Sequence, residues 1–268
     1  MEDNYLENIG YNLHITKASK LSKYFMSFQN QSLPPMVDLR DKFQKPYKQG
    51  KLGSCTANAL CGLIGFLHPS FHGSRLFLYY NERAICDSIP NDDGANLNNS
   101  LKCLENIGIC SEKMWPYDFT QFTNKPSIEC YEYANKHKIK SAQIRDSFIE
   151  LKKALANNYP FVVGIQVYDS FEKEEVAKTG IISMPNKSTD KLLGGHAVVC
   201  CGYKTINNQF YWIMRNSWGN KWGDQGYFYL PKKYFLTPNM CTSFWTLYKN
   251  SNHKKLINNK TLIEQTNH

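Results

Sequence analysis

Residues 49–69 read QGKLGSCTANALCGLIGFLHP. Gly50 and Gly53 make a flexible turn, and an apolar run follows until His68-Pro69 closes it. The run is apolar nearly all round, which predicts a central buried helix over 55–67. Its first residue is Cys55. A thiol at a helix start faces unsatisfied backbone N–H groups and the positive end of the helix dipole, so the thiolate, the reactive form, is expected to be favoured.

Outward from this helix the first half of the chain stays helical. Segments 75–86, RLFLYYNERAIC, and 97–107, LNNSLKCLENI, carry helical spacing, and Gly108 suits the C-terminal stop of the second. After a helix at 148–157 the pattern changes to apolar, β-branched runs separated by turn residues, at 161–167, 196–203, 210–214 and 226–230. A helical half followed by a strand-rich half predicts an α+β protein with two lobes.

Residues 1–34 are polar and end at consecutive prolines, so they read as an N-terminal extension to a main domain over 35–250, with compact structure beginning near Val37. Residues 251–268 read as a polar tail, frayed or loosely docked.

The 268 residues are 42% hydrophobic, enough for a sizeable core, and the formal net charge is +9. The lysines form no dense run and no nucleic-acid motif is present, so the charge reads as a solvated basic surface and no nucleic-acid partner is expected. No apolar stretch reaches 18 residues and the N-terminus lacks an apolar core of a secretory signal, so no membrane association is expected. A cytosolic location is favoured, with a virion or a lysosome-like compartment left open. Oligomeric state is left open as well. Nine cysteines occur without a CxxC pair, and His68 and His72 lack acidic or thiol partners at ligand spacing, so no metal site is expected.

Two further stretches carry chemistry. In GGHAVVCCGY, residues 194–203, His196 opens a strand that then turns buried. In RNSWGNKWGDQGYFYL, residues 215–230, Asn216 offers a side-chain oxygen that can accept from one imidazole nitrogen and so aim the other at a thiol. Trp218 is placed to shield that bond from water.

These blocks, in this order, resemble the papain-like cysteine peptidases. PPMVDLR at 34–40, QGKLGSC at 49–55, WPYD at 115–118, GGHAV at 194–198 and NSWG…WGDQGY from 216 carry the resemblance, and GGHA is similar to cathepsin B-like members. The resemblance implies a papain-like two-lobed fold. A helical lobe with its central helix starting at Cys55 faces a β-barrel-like lobe across an active-site cleft. It further implies Cys55 as nucleophile, His196 as general base and acid, Asn216 as the residue orienting the imidazole, and Gln49 with the Cys55 amide as the oxyanion hole. Losing one such donor typically costs roughly 3 kcal/mol. Gly94 and Ala95 are implied to pair with substrate backbone. Gly194, Gly195 and Ala197 are implied to line the pocket for the second residue before the cut.

The expected reaction is hydrolysis of a peptide or protein substrate through a thioester, with no metal or organic cofactor. Endopeptidase action is favoured, because no insertion with paired histidines is present. Two alternatives use the same residues: acyl transfer or ligation, and an inactive peptide-binding protein. Residues 1–34 are open to three readings: a short pro-segment that inhibits the enzyme intramolecularly, a permanent arm, or a disordered extension.

The chain also departs from the family pattern. Where the family joins two cysteines, Leu52 and about Asp92 stand here, and Thr56 replaces a tryptophan beside the nucleophile. The family's pairing leaves Cys86–Cys130 as the one disulfide that the resemblance retains. A disulfide-poor protein in a reducing compartment is therefore expected.

Overall fold

The computed structural model describes residues 11–14, 24–28, 32–249 and 256–258. The predicted central helix is α1, Cys55–Leu67, and eleven of its thirteen residues are buried. Two glycines inside it cost helix propensity, yet each lets another side chain come close. A Cβ on Gly62 would stand 3.0 Å from the Arg215 guanidinium, and one on Gly65 would stand 2.8 Å from the Gln44 amide. The buried Arg215 uses this space to donate to the carbonyls of Gln44 and Lys45, which ties the strand end before Asn216 to the chain leading into Gln49.

Against α1 pack α2, Arg75–Ala84, and α3, Leu97–Asn106. Both begin on side-chain caps: Ser74 accepts from the Phe77 amide and Asn96 from the Asn99 amide. Gly108 ends α3 as expected, at φ +91°, with its N–H on the Cys103 carbonyl. The remaining helices are α4, Ile128–Asn135, α5, Phe148–Ala156, α6, Glu174–Thr179, and α7, Lys232–Leu236. Of these only α5 is anticipated by the pattern; α4, IECYEYAN, buries little beyond Cys130 and Ala134 and so lacks a clear apolar stripe.

Nine strands build the sheet: β1 Tyr24–Met26, β2 Val37–Asp38, β3 Lys140–Gln143, β4 Phe161–Tyr168, β5 Leu192–Ile206, β6 Gln209–Arg215, β7 Tyr227–Pro231, β8 Cys241–Tyr248 and β9 Leu256–Asn258. They run in the order β7-β6-β5-β4-β8-β3-β1-β9, with β2 added on β5, and the described sheet stays unclosed. The four anticipated runs are β4 to β7. The pattern misses β8 because Ser243, at φ +64°, breaks its alternation, and the pairing with β4 shifts register there.

One apolar core lies on the sheet and is closed by Phe161, Trp212 and Tyr234; the other surrounds α1 and includes Val162, Ala197 and Trp245 from the strands. Structure also extends beyond Val37 and into the C-terminal tail. Met26 is fully buried, β1 pairs with β3, and β9, from the stretch read as a frayed tail, closes the edge beside β1. No helix among the described residues is long and apolar enough to cross a membrane.

Candidate active site

Cys55 opens α1 on the Ser54 N-cap, and His196 lies near the start of β5, in register with Ile165 of β4. Asn216 follows β6 directly. The His196 Nε2–H donates to Asn216 Oδ1 at 2.8 Å, and the same oxygen accepts the Ser217 amide at 2.9 Å. The other ring nitrogen, Nδ1, is buried without a hydrogen-bond partner among the described residues. It is thus the free proton acceptor of the pair. Trp218 stacks on the imidazole at 5.2 Å between ring centroids and is itself backed by Trp222 at 4.7 Å. Trp218 thus lies against the imidazole that bonds Asn216.

Gln49 is 1% exposed and held on several sides. Its amide donates to the Ser217 carbonyl at 2.8 Å, and its own carbonyl accepts from Tyr117 Oη at 2.8 Å. Ser217 Oγ donates to Gln49 Oε1, while Gln49 Nε2 donates to the Leu52 carbonyl at 3.0 Å. Ser217 therefore positions two members of the group, Asn216 by adjacency and Gln49 by contact. Sequence reading passed it over, although it stands inside the NSWG motif.

The first departure from the family pattern has a structural answer. Asp92 accepts the Gly53 amide on both carboxylate oxygens at 3.0 Å and takes the Tyr79 hydroxyl on one of them. A carboxylate clamp thus fixes the loop before Cys55 where the family has a covalent link. All nine cysteines are free. The retained Cys86–Cys130 pair is corrected: exposed Cys86 accepts from Asn99 Nδ2, whereas buried Cys130 packs in a small core with Cys110.

The cleft residues are occupied by the chain's own N-terminal segment. Asn12 forms a parallel bridge with Gly195 and Leu13 one with Ala95. The Leu13 amide donates to the Gly195 carbonyl at 3.1 Å, and the His14 amide to the Ala95 carbonyl at 3.0 Å. A Cβ on Gly94 would stand 1.9 Å from the Asn12 carbonyl oxygen, and one on Gly194 would stand 2.4 Å from that of Tyr11. These two glycines leave the room that lets a backbone lie here. Leu13 is buried in the same apolar cluster as Ala197 and Leu52. Tyr11 meets His196 and Trp218 edge-on and donates to Glu172 Oε1 at 2.7 Å. All six residues read as substrate-contacting thus lie at this cleft: Gly94, Ala95, Gly194 and Gly195 border the segment, while Ala197 and Trp218 line its apolar surroundings.

Covering the site changes its electrostatics. Burial pushes the Cys55 thiol up to about 12, against backbone hydrogen bonds from Ala197, Thr56 and Cys55 itself. Burial also lowers His196 to about 4, against the Asn216 bond that raises it. The expectation that the helix start favours the thiolate is thus reversed in this state, because loss of water outweighs the backbone hydrogen bonds to the sulfur. Thiol and imidazole both rest uncharged.

Comparison with known proteins agrees with this geometry. Residues 33–244 match the model of the papain family of cysteine proteases. The chain belongs to that family. The protease is similar to an uncharacterized peptidase C1-like protein of Acanthamoeba polyphaga mimivirus, 40% identical over 251 residues that cover 86% of this chain and 80% of that one. It is also similar to cysteine proteinase 3 of Entamoeba histolytica, 30% identical, over 78% of this chain and 65% of that protein. Among solved structures, xylellain, a cysteine protease from Xylella fastidiosa, superposes with a TM-score of 0.79 at 36% identity, covering 90% of this chain and 96% of that one. Procathepsin L 3 of the Tenebrio molitor larval midgut shares the fold, with a TM-score of 0.66 at 20% identity over 92% of this chain and 77% of that one. The protease is accordingly a cysteine-type hydrolase acting on peptide or protein substrates.

Proposed function

We propose that the protease is an endopeptidase restrained by its own N-terminal arm. Cys55 is the nucleophile, His196 the base and acid, Asn216 the orienting residue and Gln49 an oxyanion donor. With the arm withdrawn, water re-enters and the proton passes from Cys55 Sγ to His196 Nδ1. The thiolate attacks the substrate carbonyl, and the oxyanion is held by Gln49 Nε2 and the Cys55 amide. His196 then gives its proton to the leaving amine, which leaves a thioester. Water attacks the thioester with His196 as base, releasing the acid and restoring the thiol.

The observation that carries restraint is the run Tyr11–His14 bridged to Ala95 and Gly195 on the two walls of the cleft. Gln49 Nε2 points its bond at Leu52 rather than at a carbonyl of the arm, which supports the reading that the arm is an occupant and not a substrate. The preference for endopeptidase action rests on the sequence, which has no paired-histidine insertion to close one end of the cleft.

The test is removal of residues 1–14, which spares β1 and the buried Met26. Hydrolysis of peptide-library substrates cut at internal bonds is expected to rise at least tenfold, and Cys55→Ala in the same background is expected to abolish it. Unchanged turnover on truncation would reject the restraint, and release of terminal residues only would reject the endopeptidase.

A further inference from the structure

Thr56, the second departure from the family pattern, does more than leave space beside the nucleophile. Its Oγ1–H donates to Glu82 Oε2 at 2.7 Å. Glu82 sits on α2 with 1% exposure, and its Oε1 is buried with no hydrogen-bond partner among the described residues. Of the groups acting on this carboxyl only Arg83 brings a compensating charge, and its effect is the smallest of those that favour the carboxylate. Ser100 of α3 donates to the Asn96 carbonyl, and its hydroxyl also favours the charged carboxylate. Cys61 and Cys103 are buried thiols held well above their ordinary range by burial.

Arg83 follows Glu82 directly and its charge favours the carboxylate, but it makes no ion pair with it among the described residues. Its guanidinium binds the carbonyls of Ile89, Asn91 and Phe122 and lies over the Tyr79 and Phe122 rings. A buried carboxyl with no ion-pair partner among the described residues is an expensive way to fill a helix–helix contact. An apolar pair at positions 56 and 82 would pack there at lower cost. Packing alone therefore does not account for Thr56 and Glu82.

We propose that Glu82 is a positioning residue for the nucleophile: it fixes the first turn of α1 through Thr56, and its charge governs how readily Cys55 ionises. The inference rests on the reading of Cys55 as nucleophile. Thr56 is the residue next to Cys55, and a negative charge on Glu82 opposes the thiolate through the low-dielectric interior. Burial pushes the Glu82 carboxyl up to about 7, so its charge changes near neutrality. Above that pH the carboxylate holds Cys55 back. Below it the neutral acid releases that restraint.

The test is the pH dependence of Cys55 alkylation by iodoacetamide in the full chain and in the chain lacking residues 1–14, read by mass on the Cys55 peptide, with exposed Cys86 as internal control. Glu82→Gln keeps the shape and the Thr56 contact but removes the charge. Its alkylation midpoint is expected to fall by about 0.5 to 1 pH unit, and its rate at pH 8 to rise several-fold, as loss of one nearby like charge implies. Thr56→Val keeps the carboxyl and removes its hydrogen bond. The acid then neutralises at higher pH, and the Cys55 rate at pH 8 is expected to rise as in Glu82→Gln. Superimposable profiles, or an upward shift, in folded variants with Cys55 labelled would overturn the proposal. Failure to label Cys55 in the chain lacking residues 1–14 while Cys86 reacts would instead overturn the nucleophile reading, and this inference with it.

Discussion

The Leu13 amide donates to the Gly195 carbonyl at 3.1 Å, one residue before His196 on the same strand. The arm is therefore held by the backbone that carries the histidine, and its leucine side chain enters the apolar cluster beside Ala197. Burying a leucine side chain contributes about 2 kcal/mol, roughly thirtyfold in a two-state equilibrium. Leu13→Asp is expected to raise peptide hydrolysis by an order of magnitude or more in the full chain. Progress curves against a fluorogenic peptide check this, and equal rates would show that Leu13 does not hold the arm.

Acid should release the arm. His196 has its pKa lowered to about 4 by burial, while an exposed histidine titrates near 6.5. Between those values the uncovered or unfolded state binds more protons than the covered one. Covering is therefore fully favoured above about pH 6.5 and loses about 1.4 kcal/mol for each pH unit of descent towards 4. Activity of the full chain relative to the chain lacking residues 1–14 is expected to climb as pH falls through this window. A ratio independent of pH would contradict the linkage.

The carboxylate clamp should matter for stability and for the nucleophile alike. Asp92→Ala leaves the Gly53 amide and the Tyr79 hydroxyl without their acceptor, at a cost of about 1–3 kcal/mol. A lower Tm and a slower reaction of Cys55 with iodoacetamide are expected together. Loss of stability with unaltered Cys55 reactivity would mean that the clamp serves the fold alone.

Ser217→Ala removes the donor to Gln49 Oε1 and frees the glutamine side chain to rotate. A fall in kcat of about tenfold with little change in KM is expected in the chain lacking residues 1–14, less than the hundredfold or more typical of losing an oxyanion donor outright, as in Gln49→Ala. Steady-state kinetics of the two variants side by side test the order. Equal losses would show that Ser217 holds more than the glutamine.

The residues proposed to carry the chemistry lie in a recognisable linear order. Gln49, Cys55, His196 and Asn216 each lie in a short stretch whose local pattern dictates its element: glycine turn then apolar helix, glycines then buried strand, asparagine after a strand end. Short-range pattern also placed α1, α2, α3, α5 and β4 to β7. It missed β8, whose alternation is broken at Ser243, and β3, whose side chains are mostly polar, because long-range pairing sustains both.

Tertiary structure decided what surrounds the site. Asp92 meets Gly53 across 39 residues, and Glu82 meets Thr56 across 26. Tyr11 reaches Glu172 across 161. No periodicity records such contacts. The sequence placed a thiol at a helix start and so implied a ready thiolate. Folding buried it, and burial, which depends on every surrounding element at once, outweighed the local backbone hydrogen bonds and left Cys55 and His196 uncharged.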